Sequence, residues 1–299
     1  VLAVNMKVRI GVGLGAAVGP AEFGGAIDTL EKAGIDSVWL SEVVTSRQVD
    51  PFIGMAHALA RTEQLKVGTG VVVLPGRHPA LVAKQLLSLA GLAPRRVLPA
   101  FGLQAARPNE RELFPVPAGR RAAVFDEALQ LLRRLLREDD VSFDGEFFKI
   151  ENLTVGPKPA KPLDIWLGGF APAGLRRAGR YADGWLASFI TPDEARYGRE
   201  AIQAAAAESS REIEEDHYGI SLAIATDGIP EDLVALTRER RPGVNPADLI
   251  PQSWAAARTL IQRYVDAGLT KFVVRPVSAD LAFESFVDSF VTELMPLEN

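Results

Sequence analysis

RRVLPAFG (95–102), LDIWLGG (163–169) and ADGWL (182–186) are three short apolar runs of strand character, and the first two end in glycine. Glycine at a strand end lets a backbone approach a neighbouring group closely, and its recurrence on successive strands predicts one shared binding face. Working outward, β-branched runs alternate with helix-period stretches along the chain, the pattern of βα units around a parallel sheet. On the N-terminal side, KVRIGVG (7–13) precedes a helix over 20–33, SVWLS (37–41) one over 51–61, and KVGTGVVVL (66–74) one over 79–90. On the C-terminal side, GWLASF (184–189) leads into a long helix with Thr191 as N-cap and Pro192 at its first position. YGISLAIA (218–225) and KFVVRP (271–276) complete eight strands, with a closing helix expected over 280–294. An α/β (β/α)8 barrel with insertions fits this count over one domain, 1–299, better than an open doubly wound sheet. The insertions are a hairpin at about 140–155, turning at Asp144-Gly145, and a lid-like segment at about 226–252.

Composition narrows the chemistry. A hydrophobic share of 47% supports a large core, while 33 basic against 38 acidic residues give a net charge of −5 and no basic run suited to a nucleic-acid backbone. Cysteine is absent, which removes thiolate nucleophiles and cysteine-ligated metals, so redox chemistry requires a bound cofactor. The three histidines, His57, His78 and His217, lack the spacing that sets two metal ligands on one helix face, and no metal site is expected. His57 reads as an ordinary helix residue and His217 as an exposed loop residue. The N-terminal stretch resembles neither a signal peptide nor a membrane span, so a cytoplasmic protein is expected. GVGLGAAVG (11–19) superficially resembles a dinucleotide fingerprint but lacks the acidic residue in its usual context.

In order, SVWLSE, GTGVVVLPGRHPALVAKQ, RRVLPAFG, Glu110, Arg121, FDEALQLLRRLL, FDGEFF, GPKPAKPLDIWLGG and RYADGWL resemble the bacterial luciferase-like flavin and deazaflavin oxidoreductases, over about 8–190. The similarity is greatest to the branch that uses coenzyme F420. It implies a (β/α)8 barrel with the cofactor across the C-terminal ends of the strands, and a homodimer. It places Gly70-Val71 where relatives carry a non-prolyl cis peptide against the ring; an ordinary β-bulge is the alternative. Ser41, Glu42 and Val43 fall where relatives have an acidic residue followed by histidine, and Val43 replaces that histidine. Glu42 is then the nearest candidate acid or base, or only a hydrogen-bond acceptor for the cofactor.

The resemblance further sets Gly102 and Leu103 beside the ring, and Leu167, Gly168, Gly169 and Phe170 at the cofactor tail, where a helix N-terminus favours a phosphate. Trp185, Ser188, Arg275 and His78 are the substrate-side candidates. Arg275 emerges at the barrel mouth either to bind an anionic group or to pair with Glu42 or another acidic loop residue. His78 faces the cavity or packs at a helix entry. Glu110, Arg121 and Glu127 match a family ion-pair pattern read as scaffold. The stretches 103–105 and 170–172 lack the arginine and hydroxyls that hold an FMN phosphate, which favours F420 over FMN. The expected activity is hydride transfer between F420 and a small organic substrate. The alternatives are an FMN-dependent monooxygenase, a non-catalytic cofactor-binding protein, and a cofactor-free lyase or isomerase working through Glu42 and Arg275.

Overall fold

The computed structural model describes residues 7–15, 18–277 and 282–299. Its strands and helices run in chain order as β1 (Arg9–Gly13), α1 (Pro20–Lys32), β2 (Ser37–Leu40), α2 (Pro51–Arg61), β3 (Lys66–Thr69), β4 (Val72–Val73) and α3 (Pro79–Leu92). Next come β5 (Val97–Leu98), β6 (Ala100–Gly102), α4 (Arg121–Leu135), β7 (Val141–Asp144) and β8 (Lys149–Leu153). The second half contains β9 (Trp166–Gly168), α5 (Pro172–Tyr181), β10 (Gly184–Ser188), α6 (Pro192–Glu208), β11 (Tyr218–Ile224), α7 (Glu231–Arg240) and α8 (Pro246–Leu249). The described chain closes with α9 (Trp254–Asp266), β12 (Lys271–Pro276) and α10 (Phe283–Glu293). The start expected for the last helix, Asp280, lies outside the described residues.

All strands but β7 and β8 form one parallel sheet in the order β4-β6-β9-β10-β11-β12-β1-β2-β3-β5. The two ends of that order are the two halves of the same pair of strands: β3 continues into β4, β5 into β6, and β3 pairs with β5 while β4 pairs with β6. The sheet is therefore an eight-stranded closed barrel, as expected. Two strands read as continuous from sequence are each split. The break between β3 and β4 falls at Gly70-Val71, whose peptide bond is cis. The break between β5 and β6 falls at Pro99, which has no N–H for a ladder. Thr69 bridges the gap, its hydroxyl accepting from the Ala100 N–H and donating to the Ala100 carbonyl, both at 2.7 Å.

Inside the barrel, Trp39, Ala100, Trp166, Leu186 and Val273 pack together as a floor beneath the C-terminal mouth. Room for the two indoles comes from neighbouring strands: a Cβ at Gly68 would stand 2.6 Å from Trp39, and one at Gly184 2.4 Å from Trp166. The outer core lies between sheet and helices, where alternate strand residues such as Leu167 and Trp185 pack outward. Thr191 caps α6 with a reciprocal Glu194 box and Pro192 at its first position, as the sequence predicts. The hairpin turns differently from expectation. Asp144 remains paired with Lys149, so the turn is the four-residue segment 145–148, with the Gly145 N–H donating to the Phe148 carbonyl. Glu127 of α4 accepts from the amides of Glu146, Phe147 and Phe148, so a buttressing carboxylate selects the longer turn. The segment expected as a lid contains two helices, α7 and α8, which lie over the mouth.

Candidate active site

The C-terminal ends of the strands enclose a cavity of about 550 Å³. Its lining brings together Ser41, Glu42, Gly70, Val71, Gly102, Leu103, Gly168, Gly169, Ser188 and Arg275, which the sequence places far apart. Leu236, Glu239 and Arg240 of α7 and Leu249 of α8 close it from above.

The wall built by strands β4, β6 and β9 is glycine-rich, but for a reason other than ligand approach at two of its positions. A Cβ at Gly102 would stand 2.7 Å from one Val71 methyl and a Cβ at Gly168 3.2 Å from the other. Those two glycines therefore admit Val71, and Val71 presents the surface that a ligand meets. Ser41 fixes this segment by donating to the Gly70 carbonyl at 2.9 Å, and the Glu42 N–H donates to the Val71 carbonyl at 3.2 Å. Gly169, at φ 103°, has open space where a side chain would be and lines the cavity.

Glu42 corrects the expectation of a catalytic acid or base. Its carboxylate takes a forked pair of hydrogen bonds from Arg77, 2.5 and 3.0 Å, and another from the Val73 N–H at 2.9 Å. With both oxygens engaged and the side chain only 4% exposed, it clamps the loop after β4. Arg77 thus takes the carboxylate that was one of the partners expected for Arg275.

Four other expected site residues do not line this cavity. Trp185 has a fully buried ring that packs outward against Gly198 of α6 and donates its indole N–H to the Gly169 carbonyl at 2.8 Å. Strand alternation puts its neighbour Leu186 inside instead. Leu167 faces the helices by the same parity. His78 is the N-cap of α3, its Nδ1 accepting from the Ala80 N–H at 3.2 Å and its ring edge-on to Phe148, on an outer groove. Phe170 lies in a side recess with Ala171, Ser188, Phe189, Arg240 and Arg241.

That recess leads to the start of α5, where the N-cap Ala171 offers no side-chain acceptor to the first-turn N–H groups. Such a terminus favours an anion. Sequence inspection of 103–105 and 170–172 found no cation for this place; Arg240 and Ser188 arrive from other elements. The recess and main cavity together fit a flat, mostly apolar ring system carrying an acidic tail.

Arg275 stands on the opposite wall. β12 lies between β1 and β11, across the barrel from β6. Its Nε is sealed from solvent without a hydrogen-bond partner, and no carboxylate pairs with it among the described residues. Burial lowers its pKa, and the nearby Arg240 charge lowers it further; a guanidinium remains charged nonetheless. Burial likewise lowers the pKa of Arg240, which donates to the Ala106 carbonyl at 3.1 Å.

Away from the cavity, the expected ion pairs among Glu110, Arg121 and Glu127 are absent among the described residues. Glu110 is fully buried and accepts from the Thr45 N–H and hydroxyl, while Arg121 donates to the Phe114 carbonyl. They are scaffold through backbone contacts, because loop ends offer unpaired peptide groups to long polar side chains. His217 also differs from the exposed residue expected. It is largely buried against Trp166, with Nδ1 2.8 Å from the Asp183 carbonyl. A possible ligand group, Glu214, Asp216 and His217, lies at this far end of the barrel, where Lys271 already holds Asp216 at 3.2 Å.

A family description of luciferase-like monooxygenases matches residues 2–269. The chain belongs to this family. Its members are enzymes, and this chain shares their barrel. A Mycobacterium tuberculosis protein of uncharacterized function is 40% identical over 146 residues, 49% of this chain and 50% of that one. The match thus spans about half the length of that relative. An F420-dependent glucose-6-phosphate dehydrogenase of Beutenbergia cavernae is 28% identical over 89% of this chain and 90% of its own. Among solved structures, an F420-dependent secondary alcohol dehydrogenase with an F420–acetone adduct superposes with a TM-score of 0.81 at 20% identity, over 98% of this chain and 100% of that one. No helix among the described residues is long and apolar enough to cross a membrane.

Proposed function

We propose that the chain is an F420-dependent oxidoreductase that moves a hydride between the deazaflavin and a small organic substrate. The observation that carries the reading is a cavity with two unlike walls. On one side Val71 and the backbone of Gly169 offer an uncharged surface to a flat ring, continuous with the anion-favouring start of α5. On the other, Arg275 leaves space for a second molecule. The near full-length relative named for F420-dependent glucose-6-phosphate dehydrogenase supports the choice of cofactor.

When bound, F420 supplies the carbon centre that gives or accepts the hydride. The chain's part is orientation and exclusion of water. Ser41 holds the Gly70 carbonyl, Glu42 and Arg77 hold the loop after β4, and Leu236 and Leu249 cover the reaction space. Arg240 and Ser188 stand ready for the cofactor's phosphodiester. In this reading a diffusible reductant pool sets the reaction in the cytoplasm. A second copy of the chain is the partner we propose for the outer face of α2 and α3, where Ile53 and Leu81 are exposed. Sedimentation equilibrium should give twice the 32.2 kDa chain mass; a monomer at all concentrations removes this partner.

The cofactor test is a fluorescence titration of the purified protein with F420 and, separately, FMN. Micromolar or tighter F420 binding with weaker FMN binding is the expected result. The reverse order reassigns the chain to FMN chemistry, for which oxygen uptake during turnover is the readout. Binding of neither overturns the redox reading.

A further inference from the structure

Arg275 is a half-buried residue of the cavity wall whose Nε is sealed from solvent and unpaired. A guanidinium carried on an interior barrel strand normally has a carboxylate within reach, because burying a charge without one is costly. Here Nε has no partner, and the nearest cavity acids are otherwise placed: Glu42 is held by Arg77, and Glu239 is exposed on α7. The other charged residues lining the cavity, Arg240 and Arg111, are cations too. The backbone nevertheless holds the side chain in this place. An ideal Cβ built at Gly13, the last residue of β1, would stand 3.3 Å from the Arg275 Cβ, so this glycine gives the arginine stem its room. Sequence reading had compared the glycine run that begins on β1 with a dinucleotide loop; its observed use is to seat Trp39 and Arg275.

We infer that Arg275 is the anchor of an anion subsite for the substrate, so that the substrate carries a carboxylate or phosphate group as well as the centre that exchanges hydride. The word substrate rests on the oxidoreductase reading above; the anion subsite itself does not. An acidic group of the cofactor is the competing source. The geometry favours the substrate. The recess at the start of α5 opens beside β9 and β10, with Arg240 between it and the main cavity, whereas Arg275 projects from β12, two strands beyond β10 and opposite the β6 wall. Val273 and Leu222 line the cavity near it, so a bound anion would be shielded and its pairing with a guanidinium strengthened.

The test compares the wild-type protein with Arg275→Met, which keeps the unbranched apolar stem and removes the charge. Inorganic phosphate is titrated by calorimetry into the free and the F420-loaded protein, and F420 affinity is measured with and without phosphate. The expected pattern is millimolar or tighter phosphate binding by both wild-type forms, at least tenfold weaker in the variant, with F420 affinity unchanged within threefold by variant or phosphate. A Tm of the free variant equal to or above wild type shows that the change has not unfolded the site. Equal phosphate affinity in the two proteins overturns the subsite. Competition between phosphate and F420, or a tenfold loss of F420 affinity in the variant, assigns the arginine to the cofactor and overturns the substrate claim. If wild type binds no F420, the proposed function falls, while the phosphate titration of the free protein still decides the subsite.

Discussion

Arginines stand at both ends of this barrel, and the contrast between the ends is sharpest at Asp183 and Arg275. At the N-terminal end, Asp183 sits just before β10 and receives Arg133 at 2.8 Å, Arg211 at 3.0 Å and Arg137 at 3.4 Å, while also accepting from the Ile165 N–H. Burial opposes ionisation of Asp183, but the hydrogen bonds and charges of Arg133 outweigh it, aided by Arg137, and hold the carboxyl below its ordinary range. At the C-terminal end, Arg275 has no acid at all among the described residues. One end satisfies its buried charges and the other leaves one waiting. This is the division expected of a barrel whose floor serves stability and whose mouth serves binding.

The largest test of that contrast is Asp183→Asn. It leaves three arginines facing a neutral amide, and breaking a buried pair of this kind costs roughly 3–5 kcal/mol. Urea denaturation at neutral pH should show the loss, with F420 affinity of the folded protein unchanged. A loss of affinity without a loss of stability would reverse the roles assigned to the two ends. The pH dependence sharpens the same point. The folded-state pKa of Asp183 is depressed, so its contribution is full above its ordinary value of 3.8 and disappears as pH falls through and below that value. Stability of the asparagine variant should therefore fall less steeply than that of wild type on acidification below about pH 5.

Glu42→Gln is the smaller perturbation, at the mouth. Loss of a charge-assisted hydrogen bond predicts a stability about 1.5 kcal/mol lower, read by urea denaturation. Because Glu42 acts as a clamp on the loop after β4, the pH profile of kcat should keep its shape. A titrating limb that vanishes in the variant would restore Glu42 as an acid or base.

The contrast also explains what was legible beforehand. Strand periodicity identified the barrel, the Thr191-Pro192 cap and the hairpin, since each depends on neighbours close in sequence. Of the cavity residues, Gly102, Gly168 and Arg275 were visible because they end strands at the mouth, whereas Ser41, Gly70 and Val71 were marked by the family resemblance. Trp185 was misplaced by a single step of strand alternation, and Glu42 was misread because its clamp, Arg77, comes from the loop after β4, 35 residues along the chain. Arg240 carried no signal: on α7 it is one exposed arginine among several, and only the fold of α7 over the mouth brings it to the recess at the start of α5.

By itself, then, the sequence determined the eight βα units, the absence of thiol chemistry and the end of the barrel at which the cavity opens, since these follow from composition, local period and the small residues that end the strands. Tertiary structure alone decided which charges meet. Asp183 gathers arginines from α4 and the segment after α6, Glu42 is closed by Arg77, and Arg275 is left open, because pairing depends on distances across the barrel that no spacing along the chain encodes.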